Sequence, residues 1–277
     1  MSRPTNFYYA FLCLPPRKRD AIIAVWDFCR AVDDAVDEAP AEGTPGRDAL
    51  VQSALAGWRE ELARCFDGRT PSTEQGRSLQ PFVGEFSLPR QPFDDVIDGV
   101  EMDVHPPTYA NFDELFEYCR RVASAVGLIC IEVFGYRDPA TRAYAVDLGV
   151  ALQLTNIIRD ITVDLERGRL YLPLDDLERF GCTRGELESG TLTPPVRALL
   201  EHECARARAY YDRAMRGRPR EDARHLVAAE IMRAIYFEIL RQIERHGYDV
   251  FSARARLSRP HQALIAARTW AATMAGR

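Results

Sequence analysis

The chain has 277 residues, of which 47% are apolar and 28% charged, with a net charge of −5. That length holds one large domain or two modest ones, and that apolar content fills a sizeable core. The acidic balance excludes the broad basic surface of a nucleic-acid binder, while leaving room for a local basic pocket. Seven cysteines, at positions 13, 29, 65, 119, 130, 182 and 204, form no CxxC pair. Such scattered thiols read as reduced and mostly buried in a cytoplasmic protein. No signal-peptide segment follows Met1. The most apolar stretch, Val122 to Gly135, is too short to span a bilayer and contains Glu132. Peripheral contact with the inner membrane face stays open.

The elements read as helices nearly throughout. Residues 16–38 place Ile22, Val25, Trp26, Cys29, Val32 and Val36 at helical spacing. A Pro/Gly loop follows over 39–46, then helical patterns over 47–67 and 72–86, with Ser72 and Gln75 as a capping box. Pro89 opens a helix that ends near Asp103, and His105-Pro106-Pro107 breaks it. Asn111 with Glu114 caps a long helix to Phe134, and Asp138-Pro139 opens another that runs to Asp164. A break over 166–173 leads to a short helix at 174–180 and one capped by Thr183 and Glu186. Long helices at 194–216 and 221–246 and a last one at 260–274 complete an all-α, single-domain reading of residues 1–277. The apolar stretch 122–135 belongs at the bundle centre.

Two acidic clusters stand out. Asp33 and Asp37 lie four residues apart, as do Asn156, Asp160 and Asp164, so each set forms one stripe on a helix. A solvated acidic face explains a single Asp-x-x-x-Asp most of the time. Here both clusters sit inside apolar segments and late in their helices, where negative charge opposes the helix dipole. Crowded carboxylates resist full ionisation, and a divalent cation relieves them. An all-oxygen donor set suits magnesium or manganese rather than zinc. Arg30 and Arg159 stand beside the clusters, which adds positive charge for a diphosphate.

The segments Phe28-Cys29-Arg30-Ala31-Val32-Asp33-Asp34-Ala35-Val36-Asp37 and Ala151-Leu152-Gln153-Leu154-Thr155-Asn156-Ile157-Ile158-Arg159-Asp160 resemble the two aspartate motifs of the squalene/phytoene synthase family. Tyr118 to Gly127 resembles that family's tunnel helix, and Gly168-Arg169-Leu170-Tyr171-Leu172-Pro173 the segment after the second motif. The resemblance runs from about Asn6 to Leu264. It implies an isoprenoid synthase helical bundle with a central cavity, prenyl diphosphate substrates and magnesium. It places Asp33, Asp37, Asn156, Asp160 and Asp164 on metal, with Arg30, Arg159, Tyr236 and Arg254 on the diphosphates. Tyr118 is placed near the reacting carbons, and Val122, Val126, Gly127 and Gln153 against the substrate. Within the family, Asp98 to Asp103 and Arg120-Arg121-Val122-Ala123-Ser124 look closest to bacterial presqualene diphosphate synthases of hopanoid pathways. The implied reaction joins two farnesyl diphosphates head-to-head, with no NADPH in the first half-reaction and other enzymes downstream. Phytoene synthase, with longer chains, is the nearest alternative, and an idle homologue serving as an assembly subunit is a third. Three positions depart from the family pattern: Asn6 for serine, Trp26 for tyrosine and Gln262 for lysine.

Other features read more plainly. The five histidines lie apart without metal-ligand spacing. Asp98, Glu101 and Asp103 read equally as an added metal site or a solvated helix end. Arg206, Arg208 and Arg213 read as a solvated face, and Asp175-Asp176 as a helix start. Phe7, Tyr8, Tyr9 and Phe11 suit a prenyl channel and a core equally. Arg254, Arg256 and Arg259 suit a diphosphate pocket or an anionic lipid surface.

Overall fold

The computed structural model describes residues 8–41, 43–105 and 107–276, with only the backbone of Tyr8; Asn6 and Phe7 lie outside this range. Helices α1 (Tyr8–Leu12), α2 (Pro16–Asp37), α3 (Arg47–Asp67), α4 (Glu74–Glu85) and α5 (Arg90–Glu101) form the first half. Then come α6 (Phe112–Cys119), a π turn (Arg120–Ser124), α7 (Ala125–Phe134) and α8 (Thr141–Glu166). The rest is α9 (Leu174–Phe180), α10 (Arg184–Glu188), α11 (Pro194–Gly217), α12 (Val227–Arg245) and α13 (Arg259–Met274). No strand occurs among the described residues, so the all-α expectation holds.

α8 is the axis of the bundle. Its apolar residues recur on several faces, and it packs against α11, α7, the π turn and α12. α2 packs against α4, α5 and α7. The two cluster-bearing helices thus flank α7, whose Ile129, Ile131, Val133 and Phe134 are buried as the stretch 122–135 led us to expect.

Several helix ends follow their predicted caps. The Asn111 side chain accepts from the Glu114 N–H, and Thr183 and Glu186 form the reciprocal box. Others differ. At α4 the cap is Thr73, which accepts from Gly76 N–H, because Ser72 is drawn to Glu61 instead. Glu61 is buried and accepts from the backbone and hydroxyl of both Ser72 and Thr73 at 2.6–3.0 Å. α8 starts at Thr141 rather than Pro139, and α12 at Val227 rather than near 221. Before each, one aspartate organises the turn: buried Asp222 accepts from Arg137 N–H, Asp138 N–H and the Thr141 hydroxyl.

The long helix predicted from 111 to 134 is interrupted by the π turn. Packing explains it. A Cβ on Gly149 of α8 would lie 2.5 Å from Ser124 Cα, and one on Gly99 of α5 would lie 2.7 Å from Val122 Cγ1. The turn is wedged between two glycine notches, and a widened turn re-aims the side chains around it. Arg206 departs from the solvated reading: it bonds buried Glu203 at 2.6 Å and Asp176 at 2.8 Å, tying α11 to α9. Asp176 is therefore buried in this network rather than serving as a simple helix start. All seven cysteines are free, and five are buried.

Candidate active site

A cavity of about 820 Å³ opens between α2, α5, the α6–α7 segment, α8 and α12. Helical spacing gives it a direction. From α2 the lining residues run Ile22, Val25, Trp26, Cys29, Arg30, Asp33, and from α8 they run Leu148, Gly149, Leu152, Gln153, Asn156, Arg159. Both helices pass from apolar to polar toward their C-terminal ends, so the cavity has a greasy end and a charged end. Ile22 to Asp33 spans roughly 16 Å of helix. Tyr118, Val122, Val126, Gly127, Cys130 and Phe134 form a further wall.

Every predicted substrate-side residue lines this cavity: Arg30, Tyr118, Val122, Val126, Gly127, Gln153, Arg159, Tyr236 and Arg254. Of the predicted metal ligands, Asp33 and Asn156 line it, whereas Asp37, Asp160 and Asp164 do not. Those three belong to a charged rim. Asp37 ends α2 and is held by Arg167 at 2.9 Å and Arg169 at 2.7 Å. Asp160 accepts two bonds from its neighbour Arg159, at 2.5 and 2.8 Å, and two from Arg254, at 2.6 and 2.7 Å. Trp26 and Gln262, two departures from the family pattern, also line the cavity. The Gln262 amide donates to Leu257 O at 3.0 Å.

The electrostatics separate the carboxylates. Burial, then Asp37 and Asp103, push Asp33 up to about 6. Burial and Asp160 push Asp164 up to about 7. Burial also opposes the charge on Asp160, but the bonds from Arg159 and Arg254 outweigh it and hold that carboxyl below its ordinary value. Asp103 feels Asp37, and it acts in turn on Asp33 and Asp164, so it lies electrically between the clusters. Geometry links the same two helices: Asp33 of α2 and Asn156 of α8 line one cavity, and Arg167 and Arg169, just past α8, hold Asp37 at the end of α2.

Asp103 is the group whose role the sequence left open. It is 8% exposed and accepts from Tyr118 and Tyr171 hydroxyls, each at 2.8 Å. The rings of Tyr118 and Tyr171 stack with centroids 5.1 Å apart, and Tyr109 lies against both. Burial and the adjacent Asp103 raise the Tyr118 hydroxyl far above its ordinary value, so it stays protonated. Asp98 and Glu101, from the same acidic run, pair with Arg59 instead. Individual roles for Tyr171, Arg167 and Arg169 were invisible in the sequence. They follow α8 by a few residues, and only the folded turn brings them back to Asp37 and Asp103.

The donor set fits a divalent, oxygen-loving cation. Asn156 Oδ1 is buried without a hydrogen-bond partner, and Asp33 and Asp164 are raised by burial and then by neighbouring negative charge. Among the described residues no compact group of three acidic, histidine or cysteine side chains forms a closed cage. Magnesium needs none, since it takes one or two carboxylates and completes its shell with water and phosphate.

The chain is 38% identical over 279 residues to a 15-cis-phytoene synthase of Synechocystis sp., spanning 96% of this chain and 80% of that protein. It is 37% identical to a 15-cis-phytoene synthase of Synechococcus elongatus, over 90% and 83% of the two chains. Its structure superposes on a ligand-bound dehydrosqualene synthase with a TM-score of 0.85 at 27% identity, covering 98% and 92%. It superposes on squalene synthase HpnC from Alicyclobacillus acidocaldarius with a TM-score of 0.78 at 33% identity, covering 90% and 91%. The family model for squalene/phytoene synthase matches residues 3–261. The chain thus belongs to the squalene/phytoene synthase family.

Proposed function

We propose that this protein is a prenyltransferase that joins two farnesyl diphosphates head-to-head into presqualene diphosphate, releasing one diphosphate. The observation that carries this reading is the polarity of the cavity: a long apolar end beneath two facing carboxylate walls that share an arginine rim. A single amphiphile with a diphosphate head and a hydrocarbon tail matches both ends.

Asp33 and Asp37 would hold magnesium, or manganese, on the α2 side, and Asn156, Asp160 and Asp164 on the α8 side. Bound there, the metal neutralises the diphosphate as its charge develops. The protein does the rest. Arg30, Arg159 and Arg254 bind the diphosphate oxygens, and Tyr236, against the Arg159 guanidinium at 6.0 Å, supports that arginine. The allylic C–O bond of one substrate breaks, and its electron pair leaves with the diphosphate. Val122, Val126 and Leu152 exclude water from the resulting cation. They also align the second chain, whose double bond attacks. Loss of a proton closes a cyclopropane. The released diphosphate takes that proton, and Tyr118, held protonated by Asp103, orients rather than removes it. No NADPH enters this half-reaction.

One observation favours a second reading. Both cyanobacterial relatives described above are phytoene synthases, at 37–38% identity. Joining two geranylgeranyl diphosphates uses the same head chemistry and a deeper apolar end. Purified protein with magnesium, offered each substrate alone and then both together, separates the readings by product mass. A presqualene diphosphate product from the shorter substrate supports the first. Coupled product from geranylgeranyl diphosphate alone establishes the second in its place.

A further inference from the structure

At its apolar end the chamber meets a buried polar network that the coupling chemistry does not use. On α8 the lining residues Asn156, Leu152, Leu148 and Tyr144 recur every four positions, so they form one stripe leading away from the charged end. Asn156 to Tyr144 spans roughly 18 Å of helix, and Tyr144 is the lining residue of α8 farthest from the charged end. It is 1% exposed, and its hydroxyl donates to Glu230 Oε1 at 2.8 Å. Glu230 lies in the first turn of α12, whose Ala229 and Met232 also line the chamber. The tyrosine ring therefore reaches from α8 across to α12 at the apolar end.

Glu230 is an unexpected neighbour for a hydrocarbon tail. It is 2% exposed, and its second oxygen is held by Arg233 Nε and Arg218 Nη1, each at 3.0 Å. A carboxylate and two guanidiniums set beside an apolar chamber carry a desolvation cost that a hydrophobic cluster avoids. A phenylalanine at position 144 would cover the same area and need no partner. What the network adds is rigidity, because a satisfied buried network fixes its members. Burial and Glu230 raise the Tyr144 hydroxyl far above its ordinary value, so it remains a donor. The backbone is fixed as well, since the Thr141 hydroxyl, one turn earlier, donates to buried Asp222 at 2.7 Å. An untethered side chain at this place could swing aside for a longer tail. The tethered ring moves only by breaking a charge-assisted bond and leaving buried Glu230 short of a partner.

We propose that Tyr144 is a specificity-determining residue: tethered by Glu230, its ring is the stop that sets the longest prenyl tail the chamber accepts. Glu230 is a positioning residue that acts through Tyr144, and Arg218 and Arg233 hold it in place. The inference rests on the reading of the chamber as a prenyl diphosphate site, and it supplies the depth limit that separates the two substrates considered above.

Coupling assays with magnesium and farnesyl, geranylgeranyl or geranylfarnesyl diphosphate test it. The readout is the ratio of kcat/KM for each longer tail to that for farnesyl diphosphate. Tyr144→Ala removes the stop and should raise the geranylgeranyl ratio by about tenfold or more over the wild type. Tyr144→Phe is nearly isosteric, so it guards against a folding failure of the alanine variant; cutting the tether alone should raise the ratio by roughly three- to tenfold. Glu230→Gln should raise the ratio in the wild-type background and leave it unchanged in the Tyr144→Ala background, a dependence that a general loss of stability does not imitate. An unchanged ratio for every longer tail in Tyr144→Ala overturns the stop. A shift in Tyr144→Ala without one in Tyr144→Phe overturns the tether. A wild type that prefers geranylgeranyl diphosphate refutes the choice of substrate above, and Tyr144 is then judged by the shift toward geranylfarnesyl diphosphate. A wild type that couples none of the three refutes the catalytic reading, and this inference with it.

Discussion

At the scale of the residue, the site is a balance of carboxylates held apart by different partners. Asp33 and Asp160 are shifted in opposite directions, one raised by burial and like charge, the other lowered by two arginines. Asp33→Ala and Asp160→Ala should each lower kcat by roughly 10²–10³ or more, since both remove support for developing diphosphate charge. The Asp33 variant should melt no lower than the parent, because it relieves repulsion; steady-state kinetics and calorimetry check the pair. Asp103 makes a sharper case. Asp103→Asn preserves its shape but removes the charge that both tyrosines bond. We expect kcat to fall by about tenfold or more with little change in KM, as for a lost orienting contact rather than a lost substrate contact. An unchanged kcat would remove Asp103 from the site. The two acidic stripes on α2 and α8 were legible from their spacing. Asp103 was not, because a carboxylate after a helix end reads as solvated until Tyr118 and Tyr171 close over it.

At the scale of the element, α2 and α8 could be read from apolar periodicity, and most helices fall within a few residues of their expected bounds. The π turn could not be read. It arises from close approach of Gly99 and Gly149 to a neighbouring segment, a tertiary event with no local signature. Gly149→Ala would press a methyl group into the Ser124 backbone, where nothing flexible can yield. The variant should lose about 1–3 kcal/mol of stability by overpacking, seen as a lower denaturant midpoint, and should lose activity because Gly149 also lines the cavity. The α3–α4 junction offers a pH test. Burial opposes the charge on Glu61, yet the bonds from Ser72 and Thr73 outweigh it and hold the carboxyl at about 2. A depressed folded pKa contributes stability above the ordinary carboxylate range and loses it as pH falls from about 4.5 toward 2. Glu61→Gln should be less stable at neutral pH, with a shallower decline over that acid interval. Parallel acid-melting curves for the two proteins would contradict this.

At the scale of the whole molecule, thirteen α-helices and a π turn among the described residues build one apolar core with a chamber inside it. None of the described helices is long and apolar enough to cross a membrane. The overall class and the two walls of the site were legible because each rests on local periodicity. The partners that restrain those walls were not, because Arg167 and Arg169 reach Asp37 only through the turn after α8. The proposed function makes one chemical claim above the others: two prenyl diphosphates meet in one chamber and only one loses its head. Counting diphosphate released against farnesyl diphosphate consumed, with magnesium and without NADPH, tests it directly. The account predicts one diphosphate for every two substrates consumed, with presqualene diphosphate as the product. One diphosphate for each substrate, with only farnesol formed, would show hydrolysis and contradict it.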